Sequence, residues 1–145
     1  MVCLGNICRS PLAQGILEKK IKEHNLSWKV DSAGTASYHV GELPDKRSIE
    51  KAIEYGVDIT DQRSRKVTIE GFKDFDLILA MDASNFNNLL KLSDNPDDQR
   101  KIKMILNYSY PDQNRQVPDP YYDNGFENVY RLLDQACDSL IASET

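Results

Sequence analysis

With 145 residues, the chain amounts to one domain, spanning 1–145, large enough to bury about two-thirds of its unfolded surface without a disulfide or metal staple. A formal net charge of −5 argues against nucleic acid or an anionic membrane as partner, and no apolar run reaches membrane-spanning length. Three cysteines and two histidines form neither a disulfide framework nor a zinc-ligand spacing, so a cytoplasmic protein with reduced thiols and no metal or cofactor is expected.

The chain opens on Met1 and Val2, followed by CLGNICRSP from Cys3 to Pro11. A loop of this kind follows a strand of about five or six residues in most sheets. The first strand is therefore expected to be stunted, truncated at its N-terminus. Polar residues begin by Gly5 and Asn6, which does not fit a secretory leader. Ser10 is a favoured N-cap residue and Pro11 suits a first helical position, so a helix is predicted over Pro11–His24. Its apolar face is Leu12, Ala13, Ile16, Leu17 and Ile21.

Trp28–Ser32 is a short extended stretch, closed by the turn signals Ala33 and Gly34. Residues 35–44 form a polar loop holding Tyr38, His39 and Gly41. Asp45–Tyr55 has helical spacing and stops at Gly56. An irregular stretch runs to Arg65, and Thr68–Phe72 has the pattern of a helical turn capped by Thr68. Phe75–Met81 is the strongest strand, a nearly continuous apolar run as in a sheet covered on both faces. A helix follows over Ala83–Leu92, then a loop at Asp94–Asp97 and a last strand over Ile102–Leu106. A loop over 107–124 leads to a final helix carrying Phe126, Val129, Tyr130, Leu133, Cys137 and Leu140 at helical spacing. The alternation predicts an α/β fold: a doubly wound, four-stranded parallel sheet with helices on both faces. Ligands sit at the carboxyl ends of such strands, where the loop between strand 1 and helix 1 lies.

That loop carries chemistry. Cys3 and Arg9 stand at its ends with five residues between them. The backbone N–H groups of Cys3, Leu4, Gly5, Asn6, Ile7, Cys8, Arg9 and Ser10, together with the helix dipole, converge on an anion site. A thiol held in that field ionises readily. Arg9 offers a planar fork that grips two phosphate oxygens at once. The combination points to phosphoryl transfer to sulfur; the plain alternative is a buried structural cysteine beside a capped helix.

The string from Cys3 to Pro11 resembles the signature of the low-molecular-weight protein tyrosine phosphatases. Val117–Tyr122 (VPDPYY) is similar to the acid loop of that family, and DSAGTASYHVG from Asp31 and LAMDASN from Leu79 also match in kind and order. The resemblance covers essentially the whole chain. It implies that Cys3 attacks the phosphorus of a phosphomonoester, forming a phosphocysteine that water hydrolyses. Arg9 and the loop amides would stabilise the equatorial oxygens. Asp119 would act as general acid and then as base, its direction restricted by Pro120. Ser10 would donate to the Cys3 thiolate. Asn6 would hold the loop in an unusual backbone conformation, supported by Ser32 and by Gln62, which stands where relatives often carry a histidine.

Substrate contacts are expected from Tyr38 and His39 on one side and Tyr121 and Tyr122 on the other, sandwiching a phenyl ring. Ile7 accompanies phosphotyrosine activity in such relatives, whereas threonine there goes with phosphoarginine. Asp82, at a strand end, is expected to have a structural hydrogen-bonding role. Cys8 is a redox candidate able to protect Cys3 as a reversible disulfide, or else a small buried residue. Cys137 is expected in the core. The partner is a tyrosine-phosphorylated protein or peptide, and the state a monomer, with a weak homodimer through the aromatics as the alternative. Competing readings are a phosphoarginine phosphatase, a phosphocysteine carrier passing phosphate to sugar, an inactive phosphotyrosine-binding module, and a thioredoxin-coupled arsenate reductase. The last needs resolving cysteines between Cys8 and Cys137, where this chain has none.

Overall fold

The computed structural model describes residues 1–145. Four short strands, β1 (Val2–Cys3), β2 (Ala33–Gly34), β3 (Ile78–Ala80) and β4 (Ile102–Met104), form one sheet in the order β2-β1-β3-β4, with every pair parallel. Six helices accompany them: α1 (Arg9–Glu23), α2 (Lys46–Glu54), α3 (Gly71–Asp74), α4 (Ala83–Leu90), α5 (Pro96–Gln99) and α6 (Phe126–Glu144).

Strand alternation distributes the core between two faces. Cys3, Leu79 and Met81 join the cluster formed with α1, α2 and α6, including Leu12, Ile16, Leu133 and Cys137. Val2, Ile78, Ala80, Ile102 and Met104 point the other way, onto Phe72 of α3 and Leu89 of α4. The sheet is thus covered on both sides, as the apolar run in β3 predicts.

Several boundaries differ from expectation, each for a tertiary reason. Trp28–Ser32 is not a strand. The second strand is Ala33–Gly34, because the backbone of Met1 and Cys3 pairs there: Ala33 N donates to Met1 O and Thr35 N to Cys3 O, at 3.0 and 2.9 Å. The first helix starts two residues early, at Arg9, with Cys8 at the N-cap and no side-chain cap. Ser10 is therefore not the cap, and Pro11 is the third helical residue, still in the turn where no intrahelical N–H is required. Asp94–Asp97 is not all loop: Asn95 accepts from Asp97 N and starts α5 with Pro96. The short helix expected at Thr68–Phe72 is displaced to Gly71–Asp74, and the third strand is trimmed to Ile78–Ala80. The fourth strand stops at Met104 and turns into a 3-10 helix over Ile105–Asn107. Asp45 and Gly56, φ 76°, bracket α2 as expected.

At the end of the sheet away from the Cys3 loop lies a trough of about 720 Å³ between residues 28–33 and 74–79, with Leu17 and Leu140 also lining it.

Candidate active site

Cys3 ends β1, and the chain then wraps around a point in front of the N-terminus of α1. The wrap requires Asn6 to take φ 57°, in the left-handed region that Asn tolerates better than most residues. Its side chain is satisfied on every side. Oδ1 accepts from Arg65 N at 3.0 Å, and Nδ2 donates to Ser10 Oγ at 2.7 Å and Ser32 Oγ at 2.9 Å. Ser32 Oγ in turn donates a hydrogen bond to Gln14 Oε1 at 2.7 Å. Ser10 Oγ lies 3.0 Å from Cys3 Sγ. Because Asn6 fills a lone pair of that hydroxyl, its single proton is free to point at the sulfur.

The loop carbonyls face outward onto partners. Leu4 O accepts from Ala36 N (2.9 Å), Gly5 O from Ser64 Oγ (2.9 Å), Ile7 O from Asp45 N (2.7 Å) and Cys8 O from Ser48 Oγ (3.3 Å). With the carbonyls so engaged, the N–H groups from Leu4 to Arg9 have no protein acceptor, the arrangement a concavity needs to receive an anion at a helix N-terminus.

Arg9 is only 3% exposed and is held by one nitrogen: Nη1 donates to Asp82 Oδ2 at 2.7 Å and Val117 O at 3.0 Å. Its Nη2 lies 3.7 Å from Asp119 Oδ2. Asp82 also caps α4 through Asn85 N, so its part is structural anchoring of the guanidinium. The segment carrying Asp119 is tied to β3 where Val117 N donates to Met81 O at 2.8 Å. Asp119 Oδ1 accepts from Tyr121 N, a local turn that fixes the carboxyl near the mouth.

Above Cys3 and Arg9 opens a pocket of about 200 Å³, walled by Tyr38 and His39 on one side and Asp119, Tyr121 and Tyr122 on the other. Ile7 and Cys8 also line it. Tyr38 and Tyr122 stand well clear of the surface, and Tyr121 packs edge-on against Tyr122. His39 pairs with Glu42.

The expectation for Gln62 fails. Its Nε2 donates to Pro11 O at 3.1 Å and its Oε1 is buried without a partner, so it does not touch Asn6. The Arg65 backbone N–H takes the role assigned to it. Cys8 is buried, and burial, with nearby Asp45, Cys3 and Asp119, pushes its thiol up to about 12. Cys137 sits in the core, where burial pushes its thiol up to about 12 as well. All three thiols are unpaired.

Gln14, Gly34, Ser64 and Asp45 also shape the loop and escape sequence reasoning. A Cβ on Gly34 would lie 2.7 Å from Leu4 O, so glycine is needed for close backbone approach. A glycine at the end of an extended stretch was the only available signal. The others have none.

Residues 1–144 match the profile of the low molecular weight phosphotyrosine protein phosphatases. A Synechocystis protein whose name provisionally places it among the low molecular weight protein-tyrosine-phosphatases is 46% identical, over 98% of this chain and 92% of its own. A protein tyrosine phosphatase from Entamoeba histolytica superposes with a TM-score of 0.90 at 40% identity, over 98% of this chain and 92% of its own. A Drosophila arginine phosphatase superposes at 0.92 with 33% identity, over 99% and 95%.

Proposed function

This chain belongs to the low molecular weight phosphotyrosine protein phosphatase family, and on that premise we propose that it hydrolyses phosphotyrosine in proteins through a phosphocysteine intermediate. One observation carries the reading: the free N–H groups of Leu4–Arg9 surround the approach to Cys3 Sγ, with Asp119 beside Arg9 at the rim.

The Cys3 thiolate attacks phosphorus in line with the phenolic leaving group. The S–P bond forms as the P–O bond breaks. Loop amides and Arg9 hold the three equatorial oxygens. Asp119 delivers its proton to the departing phenolate oxygen, becoming a carboxylate. It then takes a proton from the water that attacks the phosphocysteine, releasing phosphate and the thiolate. The Ser10 proton stabilises sulfur both as nucleophile and as leaving group. Tyr38 and Tyr121 offer flat apolar faces for the substrate ring.

Phosphoarginine is the competing substrate, given the name of the Drosophila neighbour. Ile7 favours phosphotyrosine, because it places an apolar side chain in the pocket wall. Unpaired thiols fit a reducing, cytoplasmic setting, and a monomer acting on phosphoprotein needs no further partner. The test is hydrolysis of an aryl phosphate by the wild type, Cys3→Ser and Asp119→Ala. Cys3→Ser is expected to abolish turnover and Asp119→Ala to lower it by about 10²- to 10⁴-fold. Equal turnover by wild type and Cys3→Ser overturns the reading. Preference for a phosphoarginine peptide overturns the choice of substrate.

A further inference from the structure

The loop bearing Cys3 and the loop bearing Asp119 arise from opposite ends of the chain, yet proton transfer demands fixed spacing between them. Arg9 spans the gap from beneath. A second connection runs around the outside. Asp45 N donates to Ile7 O at 2.7 Å, so Asp45 is attached to the phosphate loop. Its carboxylate caps α2 on Arg47 N at 2.8 Å and also grips the Arg47 guanidinium, Nε on Oδ1 at 3.0 Å and Nη2 on Oδ2 at 3.1 Å.

The remaining Arg47 nitrogen, Nη1, donates to Asn124 Oδ1 at 2.6 Å. The guanidinium also lies over the Phe126 and Tyr121 rings, 4.8 and 5.4 Å from their centroids. Asn124, at φ 59°, closes the acid loop by donating its N–H to Pro120 O at 3.0 Å. Tyr121 N in turn holds Asp119. All three guanidinium nitrogens are therefore committed, and the flat face of the group lies over one ring on either side of Asn124, Tyr121 and Phe126.

We propose that Asp45 and Arg47 form a strut that positions Asp119 relative to the phosphate loop, Arg47 acting as a positioning residue for the general acid. The proposal rests on the phosphatase reading above. Neither residue lines the pocket; the strut is anchored on the loop side at Ile7 O and acts on the acid side through Asp119 and Tyr121. Lysine cannot replace Arg47, because a point charge supplies neither the fork that meets Asp45 nor a flat face for two rings.

A misplaced acid has a kinetic signature that general loosening lacks. It slows substrates with basic leaving groups and spares those that leave without a proton. The test compares phenyl phosphate with p-nitrophenyl phosphate for the wild type, Arg47→Ala, Arg47→Lys and Asn124→Gly. Asn124→Gly keeps the left-handed turn accessible and removes only the Nη1 acceptor. For both Arg47 variants kcat/KM on phenyl phosphate is expected to fall about tenfold or more, with less than about a threefold loss on p-nitrophenyl phosphate. Asn124→Gly should give a smaller loss of the same pattern. In an Asp119→Asn background, Arg47→Ala should have no further leaving-group effect.

Equal losses on both esters, full activity in Arg47→Lys, or an undiminished effect in the Asp119→Asn background overturns the strut. Failure of the phosphatase reading looks different: the wild type itself would then turn over neither ester in a Cys3-dependent way.

Discussion

Asn6 and Ser10 are joined by a buried 2.7 Å hydrogen bond that makes Ser10 Oγ an acceptor from Asn6 and leaves its own proton available to Cys3 Sγ, 3.0 Å away. Replacing Asn6 by alanine removes three hydrogen bonds and leaves a Cβ residue in the left-handed region, a strain of about 1–2 kcal/mol. Asn6→Ala should lower both kcat and the urea midpoint. Asn6→Gly should recover much of the stability and little of the activity. Equal recovery of both would show that backbone strain, and not the side-chain hydrogen bonds, is the functional contribution.

Gly34→Ala forces its methyl group against Leu4 O and Gly5 C, at 2.7 and 3.1 Å. Both contacts are backbone, so the phosphate loop itself must shift. A stability loss of about 1–3 kcal/mol is expected from overpacking. Inhibition by inorganic phosphate should weaken in parallel, which competition assays measure directly.

Cys8 shares the pocket with Cys3 but has a thiol pushed up to about 12, chiefly by burial. A neutral thiol is a poor nucleophile. Iodoacetate at neutral pH should therefore modify Cys3 first, abolishing activity at one equivalent, with Cys8 labelled far more slowly. Peptide mapping by mass spectrometry decides the order. Labelling of both at one rate would contradict it.

Glu127 joins α6 to α2: Tyr55 and Lys51 hydrogen-bond its carboxylate, and Arg131 adds a third contact. These partners, Tyr55 foremost, hold its pKa down to about 2 from an ordinary 4.5. The folded value lies below the unfolded one, so the stabilisation is present above pH 4.5 and is lost as pH falls towards 2. Glu127→Gln should flatten the stability curve in that window, with only a small change at neutral pH because the site is exposed. Thermal melts from pH 2 to 7 on both proteins test this.

The periodic elements, α2, α4 and α6, were legible because one helix face decides them locally. The Cys3–Arg9 loop was legible because its spacing is short and the chemistry is dense. β2 was not. Trp28–Ser32 carries the extended propensity, but Ala33–Gly34 lies beside Met1 and Cys3, and parallel pairing is set by remote backbone. Ser10 illustrates the same conflict within one residue: its local preference is to cap, yet Cys3 and Asn6 claim its hydroxyl. Arg47 has no local signal at all, because nothing near it in the sequence announces Asn124, distant by 77 positions.

The trough beside Met1 bears on how the protein is best tagged. Met1 N donates to Asp31 O and Met1 O accepts from Ala33 N, each at 3.0 Å, so the ladder runs up to the first residue. Donors two residues apart share a side of a strand, and Met81 N donates to Val2 O. The N–H of Leu79 therefore faces the same gap one step upstream. A segment preceding Met1 and continuing β1 in register would lie between residues 28–31 and 76–79. In that position valines and isoleucines would suit the sheet, and prolines would remove donors from the ladder. The end of α6 shares this gap, since Leu140 and Glu144 line the same trough, so a handle attached at Thr145 emerges beside it as well.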